Sequence, residues 1–210
     1  MGAMTASHGV VPDRAARAAR GGLAPFARAL HRIGVTANAV TALGVLLTLA
    51  GAWLVATEQP LAALAVLIVG SLADTLDGAI ARASGGGTRL GAFLDSSADR
   101  VADAALFAAA AWLGATRADA VLFWAAMAAM VASFLVPYVR AKAESLGISA
   151  TVGPAPREAR LVILLIGLAG WAGLGSPVAF TAAVAAVAIL GSITLLQRVV
   201  AVARALGMSR

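Results

Sequence analysis

Six apolar segments follow one another from residue 37 almost to the C-terminus, and each is about as long as a membrane-spanning helix. A helix needs about 20 apolar residues to cross the hydrocarbon core of a bilayer. Breaks at polar residues, glycine and proline give spans with these approximate limits: 37–57, 60–83, 91–115, 119–143, 157–175 and 177–203. The pattern predicts an all-α integral membrane protein with six transmembrane helices.

The composition excludes a water-soluble globule. Hydrophobic residues make up 61% of the chain and charged residues only 12%, about half the usual fraction for a soluble domain. The sequence has no cysteine, so disulfide bonds, thiolate metal ligands and thiolate nucleophiles are excluded. No uninterrupted apolar run precedes residue 36, so we expect no cleavable signal peptide.

The basic residues predict the orientation of the six spans. All 16 lysines and arginines except Arg117 fall at the end of the bundle that carries the N-terminus. Because basic residues favour the cytoplasmic side, we expect a multi-pass protein of the cell membrane with both termini in the cytoplasm. Four tryptophans map to the opposite ends of their helices, as in an interfacial aromatic belt: Trp53, Trp112, Trp124 and Trp171. The net charge of +6 thus reflects orientation, and we expect no nucleic-acid partner.

The N-terminal part, residues 1–35, is predicted to be a cytoplasmic and interfacial segment that precedes a transmembrane domain over residues 36–210. Between residues 13 and 34, arginines recur every three residues opposite an apolar side. The residues concerned are Arg14, Arg17, Arg20, Leu23, Phe26 and Leu30. This pattern predicts an amphipathic helix that lies on the anionic inner leaflet and contacts membrane lipids.

Four carboxylates interrupt the second and third apolar segments. Asp74 and Asp77 are three residues apart, and Asp95 and Asp99 are four apart, so each pair shares one helix face. A glycine-rich connection at residues 84–87 lets the chain turn back and bring the pairs together. Because four acids at close quarters cannot all stay ionised without cations, we predict a site for hard divalent metals, open to the cytosol. Carboxylates that only extended to the membrane interface would not need to lie in two pairs, each on one helix face.

The stretch from Asp74 to Asp99 resembles the signature of the CDP-alcohol phosphotransferases. It reads Asp-x-x-Asp-Gly-x-x-Ala-Arg, eight residues, then Gly-x-x-x-Asp-x-x-x-Asp. The resemblance implies a homodimer of six-helix protomers that transfers a phosphatidyl or related group from a cytidine-diphosphate lipid, here CDP-diacylglycerol, to an alcohol and releases CMP. It also implies that divalent cations are required, and we expect two ions of Mg²⁺ or Mn²⁺.

The same resemblance implies the roles of individual residues. The metal ligands are expected to be Asp74, Asp77, Asp95 and Asp99, of which Asp99 is also the general base for the acceptor hydroxyl. The CDP-lipid is expected to contact Asp74, Asp77, Gly78, Ala81, Arg82 and Thr88. Outside the signature, we interpret Asp103 as a supporting residue that pairs with Arg100. Thr36 and Asn38 fit helix capping, and Asn38 alternatively a nucleotide contact.

Five basic residues could surround the mouth of the acid cluster: Arg140, Lys142, Arg157, Arg160 and Arg198. They predict an acceptor that carries a phosphate, although ordinary orienting charges would also explain them. The segments 138–144 and 157–161 most resemble the bacterial phosphatidylinositol phosphate synthases, a branch of the family whose acceptor is inositol phosphate. In this chain the usual order of Lys and Arg is exchanged, Glu158 replaces a proline, and Ala159 replaces a glutamate.

Two alternatives remain for the function. Glycerol 3-phosphate is also a small phosphorylated alcohol, so a phosphatidylglycerophosphate synthase is the chief rival. A divalent-cation transporter would explain the four acids, but its site would lie near the midplane with access from both faces, whereas these acids lie near one end.

Overall fold

The computed structural model describes residues 25–154 and 156–207. This part of the chain is helical without any strand, and the prediction of an all-α protein is confirmed at that level. Residues 25–32 form a short helical stretch, α1. Six long helices follow: α2 (Ala37–Ala56), α3 (Pro60–Ala83), α4 (Arg89–Thr116), α5 (Ala120–Ser145), α6 (Arg157–Leu174) and α7 (Val178–Gly207). The predicted N-terminal amphipathic helix lies mostly outside the described residues.

Local sequence signals set the ends of these helices. Thr36, Thr88 and Asp119 cap α2, α4 and α5, because each side chain accepts a hydrogen bond from the backbone N–H three residues later, at 3.2, 2.9 and 2.9 Å. The glycine Gly175 ends α6 with a positive φ of 67°, a conformation that glycine adopts without a steric penalty. The hydrogen bond to the Thr36 hydroxyl confirms the assignment of Thr36 as a cap.

Within the part of the chain that the structure describes, four helices are long and apolar enough to cross a membrane: α2, α3, α5 and α7. Helices α4 and α6 carry more charge, because they contribute most of the acidic and basic residues of the site described below.

The six long helices form a closed ring. Helix α2 packs against α3 and α4, α5 packs against α4 and α7, and α6 packs against α7 and α3. Glycines bring these helices close together: a Cβ atom on Gly167 of α6 would lie 2.4 Å from the Cβ of Ala183 on α7. Helices α3 and α4 are consecutive in sequence, yet α2 contacts both. As a result, four helices, α2, α3, α4 and α6, can contribute side chains to one interior site.

The end of the bundle opposite the acids carries exposed tryptophans and one ion pair. Trp53, Trp112 and Trp124 are exposed on the outside of the bundle, as an aromatic belt requires. Trp171 is buried and stacks on Phe180 with ring centroids 5.8 Å apart, so its assignment to the belt was wrong. Its indole packs between α6 and α7. The position of Trp171 along its own helix does not reveal which neighbouring helix it faces.

The single basic residue predicted at this opposite end, Arg117, forms a two-point ion pair. It donates hydrogen bonds to both carboxylate oxygens of Glu58, at 2.9 and 2.5 Å. The hydrogen bond from Arg117 lowers the pKa of Glu58. The pair joins the α2–α3 connection to the α4–α5 connection.

Candidate active site

Three of the four predicted acids form a compact cluster. Asp74, Asp95 and Asp99 each place one carboxylate oxygen within 4.8 Å of the others. Asp74 lies on α3, and Asp95 and Asp99 lie on successive turns of α4. The two helices run in opposite directions from a turn in which Gly85 and Gly86 have φ of 98° and 117°, which only glycine adopts readily. The glycine-rich turn thus brings the acids to one end of the bundle.

The fourth acid, Asp77, lies beside this cluster and not within it. Its side chain is buried, with 6% of its surface exposed. The hydroxyl of Thr41 on α2 donates a 2.6 Å hydrogen bond to its Oδ2 atom. Asp77 lines the same cavity as the other three acids.

The acids line an open cavity of about 560 Å³. Three of the residues predicted to contact the CDP-lipid line it as well: Gly78, Ala81 and Thr88. A Cβ atom on Gly78 would lie 3.3 Å from the Nη1 atom of Arg82, so the exposed Arg82 side chain lies beside Gly78. The hydroxyl of Thr88 accepts a hydrogen bond from the backbone of α4, which leaves its proton for a ligand. Asn38 and His31 also line the cavity.

Arg157, at the start of α6, connects the acids. Its Nη1 atom lies 2.9 Å from Oδ1 of Asp99 and 3.1 Å from Oδ2 of Asp74, while its Nε atom lies 3.8 Å from Asp103. That Nε atom is buried and has no hydrogen-bond acceptor among the residues described. One nitrogen of the guanidinium therefore contacts two acids, and Nε faces a third across a longer gap.

Arg160 lies one turn further along α6, deeper in the bundle. It is buried, forms a 3.3 Å ion pair with Asp103 and donates a hydrogen bond to the hydroxyl of Ser133 on α5. The assignment of Asp103 to Arg100 is therefore corrected, because Asp103 faces the arginines of α6. Arg100 instead donates to the carbonyl of Ser96 in the preceding turn of its own helix and lies 3.8 Å from Asp99.

The other three predicted acceptor-binding residues do not contact the acids. Arg198 on α7 is buried and donates to two backbone carbonyls, those of Val136 and Val152, each at 3.0 Å. Arg140 is exposed and pairs with Glu144 on its own helix at 2.8 Å, and Lys142 is also exposed. The structure thus brings Arg157 and Arg160 to the acids and leaves the remaining three basic residues outside this cluster.

Two hydroxyl residues of the site escaped the sequence analysis. Thr41 lies three residues after Asn38, on the same face of α2, and this spacing could have marked it as a partner of the acids. Ser133 lies four residues before Pro137, which lacks the N–H that would bond the Ser133 carbonyl. The proline marks an irregular point in α5, but it does not indicate which helix Ser133 contacts.

The donor set fits a divalent metal. Clustered carboxylate oxygens are the ligands that Mg²⁺, Mn²⁺ and Ca²⁺ prefer, and the site offers no sulfur ligand. Asp74, Asp95 and Asp99 can share an ion, and Asp77 lies on the adjoining cavity wall.

Known proteins are similar to this chain in sequence. The chain is 40% identical to the phosphatidylinositol phosphate synthase of Mycolicibacterium smegmatis, over 85% of this chain and 82% of the relative. It is 38% identical to the enzyme of the same name from Corynebacterium glutamicum, over 84% of this chain and 81% of the relative.

Solved structures of a third relative have the same fold. The Mycobacterium tuberculosis phosphatidylinositol phosphate synthase PgsA1 with CDP-DAG bound superposes with a TM-score of 0.79 at 35% identity, covering 86% of this chain and 92% of that one. The same protein in complex with manganese and citrate gives a TM-score of 0.79 at 36% identity, covering 86% and 88%. A sequence model of the CDP-alcohol phosphatidyltransferases matches residues 34–208. The chain therefore belongs to the CDP-alcohol phosphatidyltransferase family.

Proposed function

We propose that this protein transfers the phosphatidyl group of CDP-diacylglycerol to a hydroxyl of inositol phosphate, giving phosphatidylinositol phosphate and CMP. The names of the relatives and the CDP-DAG bound in the PgsA1 structure support the donor and the reaction. The observation that carries the proposal is the contact of Arg157 with Asp74 and Asp99, because it places a phosphate-binding cation beside the acid cluster.

The proposal includes a position in the membrane. All six long helices cross it, the acids lie near the cytoplasmic end, and both termini are cytoplasmic. The basic residues at the end of the bundle that carries the acids and the exposed tryptophans at the other end support this orientation. We further propose that residues 1–35 lie at the inner interface and that two copies of the chain form a homodimer, as the family resemblance implies.

The metal site of the proposal comprises Asp74, Asp77, Asp95 and Asp99, and it holds two ions of Mg²⁺ or Mn²⁺. The oxygen-only donor set and the manganese in a structure of the relative support it. When bound, such ions neutralise the diphosphate and stabilise the charge that develops during displacement.

The donor lies in the open cavity. Gly78 and Ala81 have too little side chain to obstruct a nucleotide that approaches α3, and Arg82 beside Gly78 offers its guanidinium to the diphosphate. Thr88 contributes a hydroxyl proton at the rim. These residues bind and orient the donor.

In the transfer step, Asp99 accepts the proton of the acceptor hydroxyl. The hydroxyl oxygen forms a bond to the phosphorus that carries the diacylglycerol. The bond between that phosphorus and the bridging oxygen breaks, and CMP leaves with the electron pair. Because Arg157 contacts Asp99 directly, an acceptor phosphate held by Arg157 keeps a neighbouring hydroxyl within reach of the base.

Arg160 supports this arrangement from below, since it is fixed by Asp103 and Ser133. The proposed acceptor site also includes three basic residues that lie further from the acids, at the same end of the bundle: Arg140, Lys142 and Arg198. Their attraction concentrates a dianionic acceptor at the cavity mouth.

Product identification tests the proposal. The purified protein is incubated with radiolabelled CDP-diacylglycerol and Mn²⁺, together with inositol phosphate, inositol or glycerol 3-phosphate, and the lipid product is separated by chromatography. Of the three acceptors, we expect only inositol phosphate to give a lipid product, phosphatidylinositol phosphate. We expect no lipid product after chelation of the metal. A product from glycerol 3-phosphate but not from inositol phosphate would reject the proposed acceptor, and full activity in the presence of chelator would reject the metal.

A further inference from the structure

One hydrogen bond links the first long helix to the acid cluster. The hydroxyl of Thr41 on α2 lies 2.6 Å from Oδ2 of Asp77 on α3, which is 36 residues away in sequence. The same hydroxyl lies 3.1 Å from the carbonyl oxygen of Ala37, one turn earlier. Since a hydroxyl has a single proton, the shorter bond to the charged acceptor is the stronger of the two.

From this bond we infer that Thr41 is a positioning residue that holds the Asp77 carboxylate in the orientation needed to bind a metal ion. The inference rests on the proposed metal site, of which Asp77 is a member. A free aspartate rotates readily about its last torsion angle, because that torsion is broad and roughly two-fold. The hydrogen bond from Thr41 ties Oδ2 to α2 and so restricts that rotation.

The packing of α2 on α3 makes Thr41 a rigid support. A Cβ atom on Gly44, one turn beyond Thr41, would lie 3.7 Å from the carbonyl oxygen of Gly70, and one on Gly70 would lie 3.4 Å from the Cβ of Leu47. The two backbones are therefore in close contact over this stretch. Asp77 itself is buried among the helices but has the open cavity on one side, where the bond from Thr41 is the side-chain contact that orients it.

A purely structural role for Thr41 would rest on its bond to its own helix. Thr48, two turns later on α2, shows what that role looks like, because its hydroxyl donates to the carbonyl of Gly44 at 2.9 Å. Thr48 is therefore a matched control: it has the same residue type and lies on the same helix.

The test compares four variants of the full-length protein: Thr41→Val, Thr41→Ser, Thr48→Val and Asp77→Asn. Mn²⁺ binding is measured by electron paramagnetic resonance, and the Mn²⁺ dependence of CMP release is measured separately. Loss of a supporting partner of a metal ligand lowers metal affinity about 10- to 100-fold. We expect that loss for Thr41→Val, with near-normal turnover restored at high Mn²⁺. We expect near-normal affinity for Thr41→Ser, which keeps the hydroxyl, and for Thr48→Val.

Each contrary outcome has a distinct meaning. If Thr41→Val bound Mn²⁺ as the wild type does while Asp77→Asn lost affinity, the positioning role would be overturned and the proposed metal site would stand. If Asp77→Asn also bound Mn²⁺ normally, the proposed role of Asp77 as a ligand would be rejected as well. If Thr41→Ser or Thr48→Val lost as much Mn²⁺ affinity as Thr41→Val, the loss would come from a general disturbance of α2, and the positioning role would be overturned. Size-exclusion profiles and thermal unfolding establish that each variant is folded.

Discussion

The substitution Arg157→Lys tests how the site selects a phosphorylated acceptor. In the structure a single nitrogen of Arg157, Nη1, contacts both Asp99 and Asp74, and the buried Nε has no acceptor among the residues described. With Nη1 on the two acids and Nε facing Asp103, the proposal assigns the acceptor phosphate to Nη2, the remaining nitrogen of the planar guanidinium. A lysine ammonium keeps the charge and has three N–H donors, but all three project from one point, so it lacks the separated nitrogens of the planar guanidinium.

The expected loss follows from this geometry. Arg157→Lys removes at least one charge-assisted hydrogen bond to the acceptor phosphate, and such a bond contributes about 1.5–3 kcal/mol. That energy corresponds to an increase of roughly 10- to 150-fold in the KM for inositol phosphate. The KM for CDP-diacylglycerol should change less than about three-fold, because the proposal assigns the diphosphate to the metals and Arg82.

Steady-state kinetics with each substrate varied in turn provides the measurement. Arg204→Lys is the control, because Arg204 lies in the last turn of α7, is exposed, and belongs to no part of the proposed site. Equal changes in both KM values would show that Arg157 organises the whole acid cluster and does not select the acceptor. An unchanged KM for inositol phosphate would refute the reasoning altogether.

Three further predictions concern the acids and the helix packing. Asp74→Asn or Asp95→Asn should abolish CMP release in a folded protein, because a neutral amide cannot balance the charge of the metals; near-normal release from either variant would contradict the metal assignment. Asp99→Asn should lower kcat at least about 100-fold while CDP-diacylglycerol still binds, and loss of binding as well would make Asp99 mainly a ligand. Gly167→Val should lower the free energy of unfolding by about 1–3 kcal/mol, since its Cβ would overlap α7. Gly173→Val is its control in thermal unfolding, because a Cβ atom on Gly173 would have no neighbouring atom within 4 Å. Equal losses of unfolding free energy in the two variants would contradict the packing argument.

The sequence predicted the parts of this fold that depend on local patterns. Long apolar segments with polar and glycine breaks located the long helices, and the threonine before the first of them marked its cap. The spacing of the aspartates and the glycine-rich turn correctly indicated that the two pairs would line one cavity, although Asp77 lies beside the cluster that the other three acids form. These features follow from helix periodicity and from the backbone freedom of glycine, both of which can be read from neighbouring residues.

The sequence did not predict which helix faces which. The ring places α6 beside α3, so Arg157 contacts Asp74 across 83 residues of sequence. The same arrangement turns Asp103 toward Arg160 instead of Arg100, and it buries Trp171 against α7. Each of these contacts depends on the order of helices around the ring, and the helical periodicity of one segment carries no information about its neighbours.

The most direct test of the central claim is a competition between two acceptors. The purified protein receives CDP-diacylglycerol, Mn²⁺ and equal concentrations of inositol phosphate and glycerol 3-phosphate, and the two lipid products are quantified over the initial linear phase. The ratio of products gives the ratio of kcat/KM for the two acceptors. If the site described above serves inositol phosphate, phosphatidylinositol phosphate should account for nearly all of the product. A predominance of phosphatidylglycerophosphate would contradict the account.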